Sequence, residues 1–312
     1  MGMRDIRGRD ELRIVRHRNR TGLDPRALQR AAATGTMRRL RSGAYVPTAV
    51  WRTLGPLERM RLEAAAAHEV GRGSFVASHA TAAALWEVPK LFVPDGLLHS
   101  RVSMRAGSRT EHGVRKHAVE DVDLHLTAVH GIPVTTLERT IVDLALTAPF
   151  AESVVAADWA LRFHTTREAL QRTLDELAPT RHRARARRVL DFADPLSGSV
   201  GESWSRVQIA EAGFPAPLLQ ACFDDARGLI GFVDFYWPDH ELIGEFDGME
   251  KFSNPEMLQG RTPEQALKEE KVREDRLRGT GPRVARWIWD TLTARTALAH
   301  QLLRAGLPRL AA

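Results

Sequence analysis

The stretch GFVDFYWPDHELIGEFDGMEKF, residues 231–252, decides the fold of the carboxy-terminal part of the chain. It places two carboxylates, Asp234 and Glu245, inside apolar runs that are typical of buried strands. Pro238 ends the first run, and a short polar connection precedes the second. Because two unpaired buried acids are costly, something must compensate their charge.

The residues around this stretch predict seven elements in the order α-β-β-β-α-β-α. Thr262 and Pro263 begin the second helix, and Asp290 is the expected cap of the last one. The elements are a helix over 198–214, strands over 217–225, 231–238 and 241–248, a helix over 262–281, a strand over 283–289 and a helix over 290–307.

In this order Asp234 and Glu245 stand on neighbouring strands, and Glu202 on the first helix is a third acid. A bound Mg²⁺ or Mn²⁺ would compensate the buried negative charge by coordinating the acids, because hard cations prefer carboxylate oxygens. Such an ion activates a water and stabilises charge on a scissile phosphate. The competing interpretation is structural ion pairing with arginines such as Arg206, Arg273 and Arg276.

The element order and its acids resemble the PD-(D/E)XK, or restriction-endonuclease-like, nuclease fold. Residues 200–292 are similar to domains related to the very-short-patch-repair (Vsr-like) endonucleases. The resemblance implies a metal-dependent endonuclease with Glu202, Asp234, Glu245 and Lys251 as catalytic residues, the three acids holding the metal. Its second motif is carried by Glu270, Arg273, Leu277, Gly281, Val284, Arg286, Trp289 and Asp290.

Some positions depart from these motifs. Asp247 stands where the broad nuclease motif has lysine, and Lys251 is the candidate where Vsr-like relatives often have histidine. Lys251 could orient the water or offset charge in the transition state, or be an ordinary surface residue. Asp247 is either a further metal ligand or a cap of the turn at Gly248. Gln220, on the first strand, is an accessory candidate that could orient water or phosphate.

The amino-terminal residues 21–47, TGLDPRALQRAAATGTMRRLRSGAYVP, predict a short helix and a β-hairpin wing. Asp24 and Pro25 are typical of a helix start, and Gly35 of its end. With a preceding helix over Glu11–Arg18, the segment would form a winged helix-turn-helix that reads the major groove. The alternative is a solvated basic helix. The expected DNA contacts are Arg26, Gln29, Arg30, Arg38, Arg39 and Arg41.

This segment also resembles the amino-terminal helix-turn-helix of the type IV antitoxin (AbiEi-like) family. The matching positions are Gly35, Arg39, Leu40, Arg41, Gly43, Tyr45 and Val46. Residues 75–89 and 130–146 resemble further segments of AbiEi-like proteins. The resemblance implies a DNA-binding, antitoxin-like transcriptional regulator, in which the nuclease-like domain is catalytically inactive.

The middle region predicts two strand–helix pairs, with caps near Ser78 and at Thr136. Arg139 and Asp143 are spaced i,i+4 and are expected to form an ion pair. The histidines of this region lack ligand spacing in the sequence and are interpreted as structural: His79, His112, His117, His125 and His130.

The chain of 312 residues has a net charge of +6, which favours an anionic partner such as DNA. Cys222 is the single cysteine, and neither a secretory signal nor a membrane-length apolar run is visible, so a soluble cytoplasmic protein is expected. The sequence is compatible with a homodimer and does not determine the oligomeric state. We predict an α/β chain of three domains: a winged helix-turn-helix over 1–50, a mixed α+β antitoxin-like domain over 51–178, and a restriction-endonuclease-like α-β-β-β-α-β core over 195–312.

Overall fold

The arginine-rich amino-terminal segment forms a helix and a small antiparallel sheet. The structure is a computed structural model that describes residues 5–15, 24–71, 75–178, 182–248 and 262–311. The sheet has the strand order β1-β3-β2. Its elements are β1 (Arg13–Ile14), α1 (Pro25–Ala33), β2 (Met37–Arg41) and β3 (Ala44–Pro47). The Asp24 carboxylate accepts the Arg26 N–H at 2.9 Å, so α1 begins with the predicted cap.

The prediction of a helix over Glu11–Arg18 is wrong for the residues that the structure describes. Arg13 and Ile14 pair instead with Tyr45 and Ala44 as an edge strand. The Val15 N–H also donates to the Gly43 carbonyl at 2.8 Å. Pairing with the buried strand β3 satisfies these backbone groups, which outweighs the local helical pattern. The end of the expected helix, residues 16–18, lies outside the described part.

The middle region is a mixed six-stranded sheet flanked by helices, with the strand order β6-β7-β5-β4-β9-β8. Its strands are β4 (Val76–Ala77), β5 (Leu98–Ser103), β6 (Arg109–Glu111), β7 (Val114–Val119), β8 (Leu126–Val129) and β9 (Ile132–Thr135). Its helices are α2 (Thr48–Thr53), α3 (Pro56–Val70), α4 (His79–Leu85), α5 (Leu137–Thr147), α6 (Phe150–Phe163), α7 (Arg167–Asp175) and α8 (Arg183–Phe192).

Both predicted strand–helix pairs of this region are confirmed. Ser78 is the cap position of α4, and the Thr136 hydroxyl accepts the Arg139 N–H at the start of α5. Arg139 Nε donates to Asp143 Oδ1 at 2.8 Å, in the predicted i,i+4 geometry. One hydrophobic cluster contains Val46 of β3 as well as Ile132 of β9, so the small sheet and the six-stranded sheet share a core.

The carboxy-terminal part has the predicted element order, with a four-stranded sheet ordered β10-β11-β12-β13. The first three strands are antiparallel neighbours, and β13 is parallel to β12. The elements are α9 (Val200–Glu211), β10 (Leu218–Asp225), β11 (Gly228–Trp237), β12 (Leu242–Phe246), α10 (Pro263–Gly279), β13 (Arg283–Trp287), α11 (Trp289–Thr293) and α12 (Ala297–Arg304). Glu270 lies within α10, and its side chain is not among those that the structure describes.

The last predicted helix is divided. Asp290 lies within α11 instead of capping it, because the cap position is Ile288. Thr296 has a left-handed φ of 67° between α11 and α12, which no continuous right-handed helix can contain. The break leaves Leu292, Leu298 and Leu302 all buried in one cluster with Trp287.

The chain divides into two compact units. The first comprises Met1–Ala156 with His164–Asp191, and the second comprises Ala157–Phe163 with Phe192–Ala312. Across the described ranges, every helix falls short of the length or the hydropathy that a bilayer span demands.

Candidate nucleic-acid interface and carboxylate site

Helix α1 presents a polar face made of three of the predicted DNA contacts. Arg26, Gln29 and Arg30 are exposed, and their spacing places them on the same side of the helix. The partly buried residues Leu28 and Ala31 lie on the side that faces the protein. No residue of this short helix is completely buried, so its polar face is accessible.

The arginines of strand β2 differ in their environment. Arg39 is exposed, and the guanidinium of Arg38 lies over the Trp51 ring at 4.6 Å from the ring centroid. Arg41 is half-buried and donates to the His112 carbonyl at 3.2 Å. Burial lowers the pKa of Arg41, and the neighbouring Glu63 opposes that effect. Arg38 and Arg39 are therefore more accessible to a phosphate than Arg41.

In the carboxy-terminal unit, Gln220 joins two of the predicted acids. Its Nε2 donates to Glu202 Oε2 at 3.2 Å and to Asp234 Oδ1 at 3.4 Å. The other Asp234 oxygen accepts the Phe246 N–H at 2.8 Å. Gln220 has a left-handed φ of 49° within β10, a strained backbone of the kind that occurs at functional sites. The three polar side chains form what we call the carboxylate site: Glu202, Gln220 and Asp234.

A glycine in α9 allows this arrangement. A Cβ added to Gly201 would lie 2.0 Å from Phe246 Cε1, so only glycine permits the ring to touch the helix here. The close approach brings Glu202, the next residue of α9, to the end of β12. The Gly198 N–H donates to Glu202 Oε2 at 2.7 Å and further orients its carboxylate.

Glu245 has a different environment, since arginines contact both of its carboxylate oxygens. Arg273 Nη2 lies 2.8 Å from Oε1, and Arg286 Nη2 lies 2.7 Å from Oε2. Glu245 is buried, whereas each arginine is partly exposed. This geometry matches the alternative of structural ion pairing, and Arg273 is one of the arginines expected for it.

The remaining residues of the predicted site do not belong to the carboxylate site. Asp247 is 3.9 Å from Arg286, and its N–H donates to the Trp287 carbonyl. Arg206 pairs with Asp158 and Asp194, and Arg276 pairs with Asp225, so neither contacts the predicted acids. Lys251 lies outside the described residues. The structure thus brings Glu202, Gln220 and Asp234 together, and the metal site stays a prediction.

Three histidines of the middle region form a cluster that no pattern in the sequence predicted. One ring nitrogen from each of His79, His99 and His117 lies within 4.8 Å of the others. It is the single group of three or more potential metal-binding side chains at this spacing in the ranges that the structure describes. The histidines are about twenty residues apart in the chain, so no spacing motif could have revealed them.

The environment of the cluster keeps the imidazoles neutral. Burial lowers the pKa of His99 and of His117 to about 4, and each is lowered further by a neighbouring cation or imidazole. Burial also lowers the pKa of His79 well below its ordinary value, and it raises the pKa of Asp143. At neutral pH all three rings therefore present unprotonated nitrogens.

The match to a known protein family concerns the middle of the chain. Residues 61–192 match the family model of the AbiEi antitoxin C-terminal domain. The uncharacterized protein Rv2248 of Mycobacterium tuberculosis H37Rv is 32% identical over 143 residues, which cover 45% of this chain and 53% of that protein. The uncharacterized protein MT2308 of strain CDC 1551 gives the same values. The chain thus spans about half the length of these relatives.

Among solved structures, the RV2827C protein of Mycobacterium tuberculosis is similar at 20% identity with a TM-score of 0.36. The similarity covers 55% of this chain and 66% of that one. The family match is stronger evidence than this structural similarity. The match over residues 61–192 supports an AbiEi-like assignment for this part of the chain.

Proposed function

We propose that the protein is an antitoxin-like regulator that binds DNA through α1 and the β2–β3 hairpin. The observation that carries this proposal is the exposed polar face of α1, with Arg26, Gln29 and Arg30 beside the arginine-bearing strand β2. The family match over residues 61–192 supports the antitoxin-like part of the proposal. An antitoxin-like role implies a cognate toxin as a second partner.

The chemistry of this face fits a DNA duplex. Arginine and glutamine donate to base edges in the major groove, and a helix of this length fits within the groove. Arg39 on the hairpin would contact phosphate, which gives affinity without sequence preference. We therefore assign Arg26, Gln29 and Arg30 to sequence reading, and Arg38 and Arg39 to the phosphate backbone.

The experiment is a selection of binding sites from random DNA duplexes, followed by fluorescence anisotropy over a range of salt concentrations. Arg26→Ala and Arg30→Ala should each weaken binding to the selected site by about 1–3 kcal/mol, with less effect on unrelated DNA. Arg39→Ala should weaken binding to all duplexes and lower the salt slope by about 1.

The matched control is Arg172→Ala, which removes an exposed arginine from α7. It carries the same loss of charge but lies outside the proposed interface, so it should bind like the parent protein. If no duplex is enriched, or if Arg172→Ala weakens binding as much as Arg26→Ala, the proposed interface is refuted.

The carboxylate site favours a second candidate, a metal-dependent endonuclease. The observation is that Gln220 joins Glu202 and Asp234 within the predicted α-β-β-β-α-β order. These two acids are the ones that would hold Mg²⁺ or Mn²⁺, and Glu245 could join them only by leaving Arg273 and Arg286. When bound, such an ion would activate a water and stabilise phosphate charge.

Plasmid nicking with Mg²⁺ or Mn²⁺ tests this candidate. Cleavage by the parent protein that is lost in Asp234→Asn, and retained in the exposed control Glu211→Gln, would establish a nuclease. A folded protein that binds a selected site and leaves plasmid intact would establish the regulator alone. The two readouts are independent, so either function can fail without the other.

A further inference from the structure

We propose that His79, His99 and His117 bind one divalent transition-metal ion, with zinc as the preferred ion. This cluster is separate from both the DNA-binding face of α1 and the carboxylate site. It lies within the residues that match the AbiEi antitoxin C-terminal domain. Three imidazole nitrogens leave one coordination position open, the pattern of zinc sites that accept a water or a ligand.

Three different elements converge to form this histidine site. His79 is the first residue of α4, directly after the short strand β4 and Ser78. His99 and His117 lie on the parallel neighbours β5 and β7, where His99 pairs with Arg115 and His117 pairs with Arg101. Alternate residues of a strand share a face, so His99 and His117 project on the same side of the sheet. The left-handed φ of 49° at His79 turns the chain into α4 at this point.

The distances between ring nitrogens suit a single ion once the imidazole rings reorient toward it. His99 Nδ1 lies 3.0 Å from His117 Nε2, and one nitrogen of each of the three rings lies within 4.8 Å of the others. Zinc–nitrogen bonds of about 2.0–2.1 Å in tetrahedral geometry place ligand nitrogens about 3.4 Å apart. The His79 and His117 rings are stacked, with centroids 3.7 Å apart and an interplanar angle of 14°, so one ring must turn out of the stack before both lone pairs can converge on one ion. The competing state is a stack held by a hydrogen bond between imidazoles.

A second, independent observation points to a ligand. Asp143 is buried, and within the described part its Oδ2 has no hydrogen-bond partner. That oxygen lies 3.8 Å from His79 Nδ1, which itself lies 3.0 Å from Ser78 Oγ, while Asp143 Oδ1 accepts from Arg139. A carboxylate that accepts one imidazole N–H orients the ring and raises the basicity of its other nitrogen toward a metal. A small shift that shortens this 3.8 Å distance would let Asp143 accept the Nδ1–H and act as the positioning residue for His79.

The charges around the histidine site are also compatible with a cation. The cations near the site have partners of their own: Arg139 pairs with Asp143, Arg115 with Asp95 and Lys90 with Glu152. The Arg101 guanidinium donates to the carbonyls of Leu124 and Asp121. An all-imidazole set selects zinc, copper, nickel or iron over magnesium and calcium, which prefer oxygen. This preference separates the histidine site chemically from the carboxylate site, where Mg²⁺ or Mn²⁺ is expected.

The test uses the full-length chain without an affinity tag, stripped of metal by a chelator. We expect one Co²⁺ per chain, with a visible absorption band of tetrahedral cobalt, and displacement of cobalt by one equivalent of Zn²⁺. His117→Gln should lower the affinity at least tenfold. Asp143→Asn should lower it about 10–100-fold, the usual effect of losing the partner of a ligating histidine. The control is His112→Gln, which changes an exposed histidine and should bind cobalt like the parent.

A second measurement needs no variant. Zinc should protect His79, His99 and His117, and not His112, from acylation by diethyl pyrocarbonate, as mapped by peptide mass spectrometry. The proposal is overturned if the folded parent protein binds no stoichiometric Co²⁺ or Zn²⁺. It is equally overturned if His117→Gln binds cobalt as tightly as the parent, or if zinc leaves the partly exposed His117 as reactive as before.

Discussion

Arg286 and Glu245 are direct register partners on the parallel strands β13 and β12, and Arg286 Nη2 lies 2.7 Å from Glu245 Oε2. Arg273 of α10 approaches the other carboxylate oxygen at 2.8 Å. The buried carboxylate of Glu245 on β12 thus contacts both helix α10 and strand β13. This ion pairing compensates the charge of Glu245 without a metal.

Replacing Glu245 with glutamine should lower the free energy of unfolding of the carboxy-terminal unit by about 2 kcal/mol. The physical reason is that two arginines lose their shared counter-charge, and that the NH2 group of glutamine cannot accept the hydrogen bond of one of them. Urea denaturation followed by tryptophan fluorescence measures the change. Glu211→Gln, at an exposed position of α9, should alter stability by less than about 0.5 kcal/mol. Equal stability of Glu245→Gln and the parent would contradict a structural role for the pair.

Two helical glycines should respond oppositely to alanine. Gly201→Ala places a Cβ 2.0 Å from Phe246 Cε1, so we expect destabilisation of about 1–3 kcal/mol or more by overpacking. Gly279→Ala meets no atom within 4 Å near the end of α10, and it should be neutral or stabilising by up to about 1 kcal/mol. Thermal unfolding of both variants is the measurement. A neutral Gly201→Ala would show that α9 does not lie against Phe246.

Asp158 should make stability depend on pH. Burial raises the pKa of Asp158 to about 6, although Arg206 opposes the shift, and Asp158 Oδ2 has no hydrogen-bond partner within the described residues. Because the folded pKa lies above the unfolded value, the stabilising contribution of the protonated acid is complete below about pH 4. It is lost as pH rises through about 6 and amounts to about 3 kcal/mol.

The check is the free energy of unfolding at pH 4, 5, 6 and 7 for the parent and for Asp158→Asn. The difference between the two proteins should change in favour of the variant as pH rises, and level off above pH 7. A difference that stays constant from pH 4 to 7 would mean that Asp158 titrates normally in the folded protein.

A buried hydrogen bond of the Trp287 indole should contribute to the stability of the carboxy-terminal core. Its Nε1 donates to Ser205 Oγ at 2.7 Å, and both groups are buried. Ser205→Ala should cost about 1–3 kcal/mol, because the indole N–H is left unsatisfied. Adding Trp287→Phe removes that donor, so the double variant should lose less stability than the sum of the single variants. Strict additivity in urea denaturation would argue against the bond.

Local chemistry in the sequence determined a large part of this protein. Asp24, Thr136 and Thr262 cap helices where their side chains accept a nearby backbone N–H, and Arg139 pairs with Asp143 one turn away. The order of elements in the carboxy-terminal unit follows from the same short-range patterns. Capping, helical periodicity and strand alternation depend on neighbours within a few residues, so the sequence contains them directly.

Only the tertiary structure decided which side chains meet across elements. It made Arg13–Ile14 a strand, paired Glu245 with arginines, and joined Gln220 to Asp234. It also gathered His79, His99 and His117, of which the sequence pattern led us to interpret His79 and His117 as structural and did not single out His99. These contacts depend on strand register and on the close packing of helices against sheets. Both are set by the burial of the whole core, and no local spacing of residues encodes them.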